Sequence, residues 1–409
     1  IERVQRASHR ANVVSGPYAI ERVQRASHMP FSLYVHIPYC LTKCPYCDFN
    51  AYAARTWPEE RYVAALCAEL RHYVAQAPWQ GQMVETIYFG GGTPSLFAPA
   101  SIERFLKFVA SLCPLAPELE VTLEADPASI TPEKLVGYRA VGVNRLSLGI
   151  QSFQPTLLKT LGRLHTAADG LRAAACARES GFTNLSLDLI FAVPGQTLAM
   201  LESDLSQVFS CRPEHLSLYN LTYEENTPFF AMKKKGQLQP LDEDDEVAMY
   251  TLVREQCTAQ GYRHYEISSF ARPGFTSRHN VNYWRGTSYL GVGAGAHSFA
   301  REPAWGSRWS NEKSPRTYMD KALKGGTARS FVETLTRAQA LGEFVFLRLR
   351  QLEGFAPAAF VERFGVKLAE AFPHINDLLA EGLLIEETGH IKLTPRGLLL
   401  ADTIFASFF

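Results

Sequence analysis

The sequence has no charge of either sign to spare. Over 409 residues, 41 Lys and Arg stand against 41 Asp and Glu, so it lacks the basic excess that nucleic-acid binders usually carry. It also lacks a long hydrophobic run. Charge, Gly or Pro breaks every apolar stretch short of the roughly 18–20 residues that a membrane-crossing helix needs. No apolar stretch near the start resembles a secretory signal. These absences point to a cytoplasmic protein with no nucleic acid partner and no transmembrane segment, and leave room only for contact at a membrane surface. Cysteine is sparse, eight in the whole chain. That excludes a disulfide scaffold and makes any tight grouping of thiols a metal or redox feature. Beyond a duplication at the start, no segment of 20–50 residues recurs, which excludes a solenoid. What is present is enough for a sizeable core: 46% of residues are hydrophobic and 20% charged, which excludes global disorder.

The duplication is literal. Ile1–His9 reads IERVQRASH, and Ile20–His28 repeats it ahead of Met29. Residues 1–28 therefore read as a non-native or disordered leader, the alternative being a basic targeting segment. From Leu33 onward, short apolar runs alternate with helical periodicity. Strands are expected at Leu33–Ile37, Thr86–Phe89, Glu120–Glu124, Arg145–Gly149, Leu185–Ile190 and His215–Leu221, several near-continuously apolar as strands buried on both faces are. Helices are expected at Glu59–Ala77, Pro99–Leu112, Pro132–Val141, Ala167–Ser180 and Leu198–Phe209. Pro99 and Pro132 sit where helices start, Gly142 and Gly181 where they stop. Six strand–helix units imply an α/β fold with a parallel sheet, fewer than the eight units of a closed barrel. An open sheet or a partial barrel fits. The texture changes near Asn311, so residues 29–310 are expected to form the core and 311–409 a second domain. That domain has amphipathic helices over Thr334–Leu352 and Ala356–Leu384 and a small hairpin in Leu383–Gly397. It is similar to a winged-helix module without its basic helix, and reads as a packing or partner domain.

Three of the eight cysteines are close together. Cys40, Cys44 and Cys47 fall in HIPYCLTKCPYCDFN with the spacing C-x3-C-x2-C, directly after the first strand. Three thiolates on one loop suit three corners of a four-iron cubane, leaving one iron open. Zinc would want a fourth ligand, for which His36 is the nearby candidate. The other five, Cys67, Cys113, Cys176, Cys211 and Cys257, are scattered and read as inert thiols. Polar groups follow each later strand, where α/β sites form. GGGTP (Gly90–Pro94) follows the second, Glu124 the third, Gln151 the fourth with Arg163 twelve residues on, and Asp188 lies in the fifth. An Arg suits a carboxylate, and acidic or amide groups suit ribose hydroxyls.

With these motifs in hand, the chain resembles the radical S-adenosylmethionine (SAM) superfamily. The resemblance implies a partial (β/α)6 TIM-like barrel, a [4Fe-4S] cluster on Cys40, Cys44 and Cys47, and SAM bound to the open iron. It also implies reductive cleavage of SAM with an electron from a donor protein. By the same resemblance Gly91, Gly92 and Thr93 lie in the motif that holds the SAM amino group, Arg163 takes the methionyl carboxylate, and Glu124, Gln151 and Asp188 are candidates for the ribose. Tyr34 and Tyr46 match aromatic positions that contact SAM.

Within the superfamily, YVHIPYC, GGGTP and DLIFAVPGQ resemble the branch that holds oxygen-independent coproporphyrinogen III oxidases and heme chaperones. Two features favour the chaperone type. Phe49 stands where the oxidases typically carry a further cysteine, and His279-Asn280-Val281-Asn282-Tyr283-Trp284 matches the chaperones' HNxxYW signature, with YLGVGAGAHSF (Tyr289–Phe299) close behind. The implied partners are heme, an unknown acceptor protein and an unknown electron donor. The alternative is oxidative decarboxylation of coproporphyrinogen propionates. His279 is a candidate axial ligand and Tyr283 and Trp284 flat surfaces for a porphyrin. Equally, His279 and Asn280 could fix a loop while Trp284 fills core.

Overall fold

The computed structural model describes residues 30–409, so the duplicated leader lies outside the described residues. All six apolar runs form strands: β1 (Phe31–Ile37), β2 (Val84–Gly91), β3 (Leu115–Ala125), β4 (Arg145–Gln151), β5 (Leu185–Phe191) and β6 (His215–Asn220). They lie side by side in chain order and pair in parallel. A doubly wound sheet would reverse its order partway. The unbroken order is that of the partial (β/α)6 barrel.

The intervening helices run Glu59–Val74, Pro99–Leu112, Pro132–Ala140, Ala167–Glu179 and Leu198–Ser210. Their ends follow local chemistry. Thr166 and Asp169 form a reciprocal capping box, and Gly142 and Gly181 follow their helices at φ 108° and 87°. The strands' helix-facing side chains, such as Leu33, Val35, Phe89, Leu146 and Leu187, are buried in one core with helix residues Leu66, Leu70 and Phe105.

The sheet extends beyond these six. β7 (Arg263–Glu266) and β8 (Ser269–Ala271) add antiparallel strands past β6. On the other side, β9 (Tyr289–Val292) pairs in parallel with β1, and β10 (His297–Ala300), β11 (Ser307–Asn311) and β12 (Arg329–Thr334) follow antiparallel. The change of texture near Asn311 thus falls on β11. The helix Pro315–Gly325 beyond it packs against Glu59–Val74, with the Tyr62 and Tyr318 rings 5.4 Å apart.

A second core starts at Ala340 and includes Val345, Leu349, Phe360, Phe364, Ile391 and Phe405. Its first helix is Arg337–Leu349. The helical stretch expected over Ala356–Leu384 forms three helices, Pro357–Phe364, Leu368–Ala371 and Ile375–Ala380. Gly365, left-handed at φ 69°, ends the first, and Pro373 stands between the other two. The hairpin β13 (Leu384–Glu387) and β14 (His390–Leu393) is present. It turns through Thr388 and Gly389, both at positive φ. No helix among the described residues is long and apolar enough to cross a membrane.

Candidate cluster loop and strand-end cavity

The cysteine loop leaves β1 and is cinched at its base, where Tyr39–Cys40 pairs in parallel with Tyr52–Ala53. Inside it the Cys47 N–H donates to the Cys44 carbonyl at 3.1 Å, and the Phe229 N–H donates to the Pro45 carbonyl at 3.0 Å. Neighbouring strand ends point donors at the sulfurs. Thr93 Oγ1 lies 3.4 Å from Cys40 Sγ, and Arg163 Nη1 lies 3.5 Å from Cys44 Sγ. Such donors set the electronics of an iron–sulfur site. Gly92 has a steric reason: a Cβ there would sit 2.7 Å from the Tyr39 carbonyl oxygen and 3.0 Å from Cys40 Sγ. Burial raises the Cys40 thiol and pushes Cys47 up to about 11, so loading thiolates releases protons.

The donor set fits a cubane held at three corners. All three thiols are unpaired and partly exposed. Among the described residues no three His, Cys, Asp or Glu side chains gather around one ion, and a cubane asks for less, one thiolate per iron. His36 is committed elsewhere. Its Nε2 must donate to the Asn50 carbonyl at 3.0 Å, which leaves Nδ1 to accept from Tyr34 Oη at 3.0 Å. Burial lowers it to about 4, so it stays neutral.

The remaining candidates divide between two neighbourhoods. Arg163 and Tyr46 stand at the cluster loop. Arg163 pairs with Asp126 at 2.5 Å and donates to the Gly149 carbonyl at 2.9 Å, while its Nε is buried without a partner. Tyr46 packs on Phe229, centroids 6.2 Å apart. Tyr34, Gly91 and Glu124 instead line a cavity. Glu124 accepts from Tyr88 Oη at 2.8 Å and from the Gly91 N–H at 3.2 Å, and burial raises it to about 7. Gln151 sits at the end of β4 at φ 67°, a left-handed conformation uncommon outside glycine. Asp188 accepts from Ser147 at 3.0 Å and Ser186 at 3.1 Å, and burial raises it. Sequence reasoning missed Asp126, two residues past Glu124 in TLEADP, although an acid beyond a strand end is the same signal that singled out Glu124. It also missed Asn50, whose amide donates to the Ala294 and Lys313 carbonyls, both at 2.9 Å. Nothing in the sequence marks that long-range contact.

The cavity measures about 980 Å³ and reaches from the strand ends to the second core. Its floor includes Tyr34, His36, Gly91 and Glu124; its walls include Tyr283, Trp284, Tyr289, Phe299, Phe346 and Phe409.

Comparison with known proteins agrees with this layout. Residues 34–208 match the Radical SAM superfamily, and residues 335–400 match the HemN C-terminal domain. The chain is 36% identical over 380 residues to the heme chaperone HemW of Bacillus subtilis (strain 168), covering 92% of this chain and 98% of that protein. It is 36% identical over 385 residues to the heme chaperone HemW of Escherichia coli (strain K12), covering 93% and 98%. The chain belongs to the HemW family. Among solved structures it is similar to coproporphyrinogen III oxidase (HemN) from Escherichia coli, described as a radical SAM enzyme. The TM-score is 0.80 at 26% identity, over 96% of this chain and 93% of that one. Membership of the superfamily brings a [4Fe-4S] cluster and SAM as cofactors.

Residues His279–Trp284 lie in one short helix, Arg278–Trp284. His279 is 1% exposed. Its Nδ1 lies 2.7 Å from Thr86 Oγ1, which donates onward to Ser32, so Nδ1 carries the proton. Its Nε2 then accepts from Tyr283 Oη at 2.8 Å. Both nitrogens are used, and burial lowers the ring to about 3. Asn280 gives its backbone N–H to the Ser277 cap. Tyr283 and Trp284 face the cavity, with the Arg350 guanidinium 4.4 Å over the Trp284 ring.

Proposed function

We propose that this protein is a heme chaperone. It takes heme into the strand-end cavity and passes it to an acceptor protein, with a [4Fe-4S] cluster on Cys40, Cys44 and Cys47 and SAM beside it. The cavity is the observation that carries the reading. Its volume lies at the upper end of ligand pockets, roughly 300–1,000 Å³, and flat aromatic faces wall it. The family resemblance of the whole chain supports the same reading.

When bound, the cluster supplies electrons and an open iron position. The chain's own residues do the holding. Arg163 offers its free Nε to the SAM carboxylate, Gly91, Gly92 and Thr93 receive the amino group, and Glu124, Gln151 and Asp188 accept hydroxyl hydrogens. Tyr34 and Tyr46 pack beside them. An electron-donor protein would reduce the cluster. We place the protein in the cytoplasm, where eight unpaired thiols stay reduced, and divide the chain near residue 335, between the sheet and the second core.

Titrating anaerobically reconstituted protein with heme tests the reading. A saturable shift of the heme absorption band is expected; a titration like that of free heme would overturn it. The overall likeness to coproporphyrinogen III oxidase favours a second reading, oxidative decarboxylation. Formation of protoporphyrinogen from coproporphyrinogen by the reconstituted protein would establish that activity. Phe49, 63% exposed in the cavity wall, stands against it, because a fourth thiol is missing there.

A further inference from the structure

Three imidazoles concern the cavity: His36 and His297 line it, His279 bonds the Tyr283 that does, and two of the three are spoken for. His36 bonds Tyr34 and Asn50 through its two nitrogens. His279 bonds Thr86 and Tyr283, and Tyr283 rather than His279 lines the cavity. The third, His297, is exposed into the cavity, and its ring makes no hydrogen bond among the described residues.

Its backbone is as fixed as its ring is free. It opens β10 directly after the turn 293–296, and most backbone groups of that turn are tied down. The Gly293 N–H donates to Glu69 Oε2 at 3.0 Å, and the Ala294 N–H to Tyr62 Oη at 2.8 Å. The Gly295 N–H donates to the Glu312 carbonyl at 2.9 Å, and the Asn311 N–H to the Ala296 carbonyl at 2.9 Å. Asn50 Nδ2 holds the Ala294 carbonyl. A buried carboxylate, a buried tyrosine and an amide from the cluster loop thus aim one side chain that has no structural task. A fixed main chain under an uncommitted ring is what a preorganised ligand needs.

We propose that His297 is the axial ligand of the heme iron in this cavity, with the porphyrin against Tyr283, Tyr289 and Phe299 and its carboxylates towards Lys43 and Lys313. This rests on the heme reading above and assigns the residue within it. The chemistry agrees on three counts. Neutral imidazole is a good heme ligand, and burial, followed by the charges of Lys313 and Arg308, lowers the His297 value. The three rings are contiguous, Tyr283 to Tyr289 at 4.6 Å and Tyr289 to Phe299 at 6.3 Å. Arg308 is occupied by Glu333 and Glu343, but Lys43 and Lys313 line the cavity and enter no ion pair among the described residues, Lys43 Nζ donating to the Phe49 carbonyl at 2.9 Å.

The test uses the full chain with its cluster reconstituted, titrated with heme and followed by absorption and electron paramagnetic resonance. His297→Ala is expected to weaken binding about tenfold or more and to lose the histidine-ligated signature, with added imidazole restoring it. His297→Met should keep binding with a displaced absorption band. Both should retain iron, sulfide and folding. His279→Ala should keep the parent signature. If His297→Ala binds heme with the parent's affinity and spectrum, the assignment is wrong while the chaperone reading stands. If the parent itself binds no heme, both fall.

Discussion

On the cluster side of the strand ends, three groups trail their strands by one to three residues, Cys40 after β1, Thr93 after β2 and Asp126 after β3, and Arg163 follows β4 after one short helix, Pro155–Thr160. On the aromatic side, the walls come from the helix Arg278–Trp284, the β9–β10 turn, the helix Arg337–Leu349 and the chain's last residue. The first side is local in sequence and polar; the second is long-range and apolar. A radical SAM site can therefore be read strand by strand, whereas a cargo cavity is a product of how distant elements pack. The difference also separates the two sides in their failure modes.

The sharpest way to break that comparison is at the thiols. Cys40→Ala, Cys44→Ala or Cys47→Ala should each abolish the cluster, since three thiolates are the minimum, while heme titration stays close to parent. Iron and sulfide analysis beside that titration decides it, and loss of both together would show that the sides are one unit. Next in size is Glu69→Ala, on the helix Glu59–Val74. It strips the acceptor from the Gly293 N–H, the Asn311 amide and the Tyr318 hydroxyl. Leaving buried donors unpaired should cost roughly 2–4 kcal/mol in denaturant unfolding, with heme affinity falling and cluster content unchanged. Arg163→Ala acts on the opposite side. It removes the Asp126 ion pair and the donor to Cys44, and should weaken SAM binding about tenfold by calorimetry while the cluster persists.

The smallest expected effect is a pH dependence. Burial raises Glu124 from an ordinary carboxylate value of 4.5 to about 7. The folded state thus holds its proton where the unfolded chain has released it. The stability this contributes is complete below about 4.5 and disappears as pH rises through about 7. Glu124→Gln does not titrate, so it should gain on the parent in melting temperature between pH 4.5 and 7, with a constant gap above. A flat difference across that window would place the carboxylate in contact with water.

How much was legible follows the same divide. The six central strands stood out because strands buried on both faces are continuous apolar runs, and the cysteine spacing needs no tertiary context. β9 was invisible as a strand: YLGVGAG reads as a glycine motif, and only its place beside β1 makes it one. β7, β8 and β10 to β12 have at most six residues each, too short for periodicity to register. The pattern over Ala356–Leu384 was rightly helical, but Gly365 and Pro373 divide it. His279 drew attention as a ligand because a sequence shows the ring and not its partners. Its bonds to Thr86 and Tyr283 occupy it, and the uncommitted His297 lay in a motif whose glycines were more conspicuous.

The placement of β9 has a consequence for how the chain is made. β1 leaves the ribosome well before β9, so one of its two edges has no neighbour until residues 289–292 follow some 250 residues later. Elements fold in the order of synthesis, and an unpaired edge is a hazard until it is covered. The neighbouring strands that carry the cluster loop can assemble while translation continues. The cavity closes only when Phe346 and Phe409 arrive. The pocket is thus absent until both cores have been made.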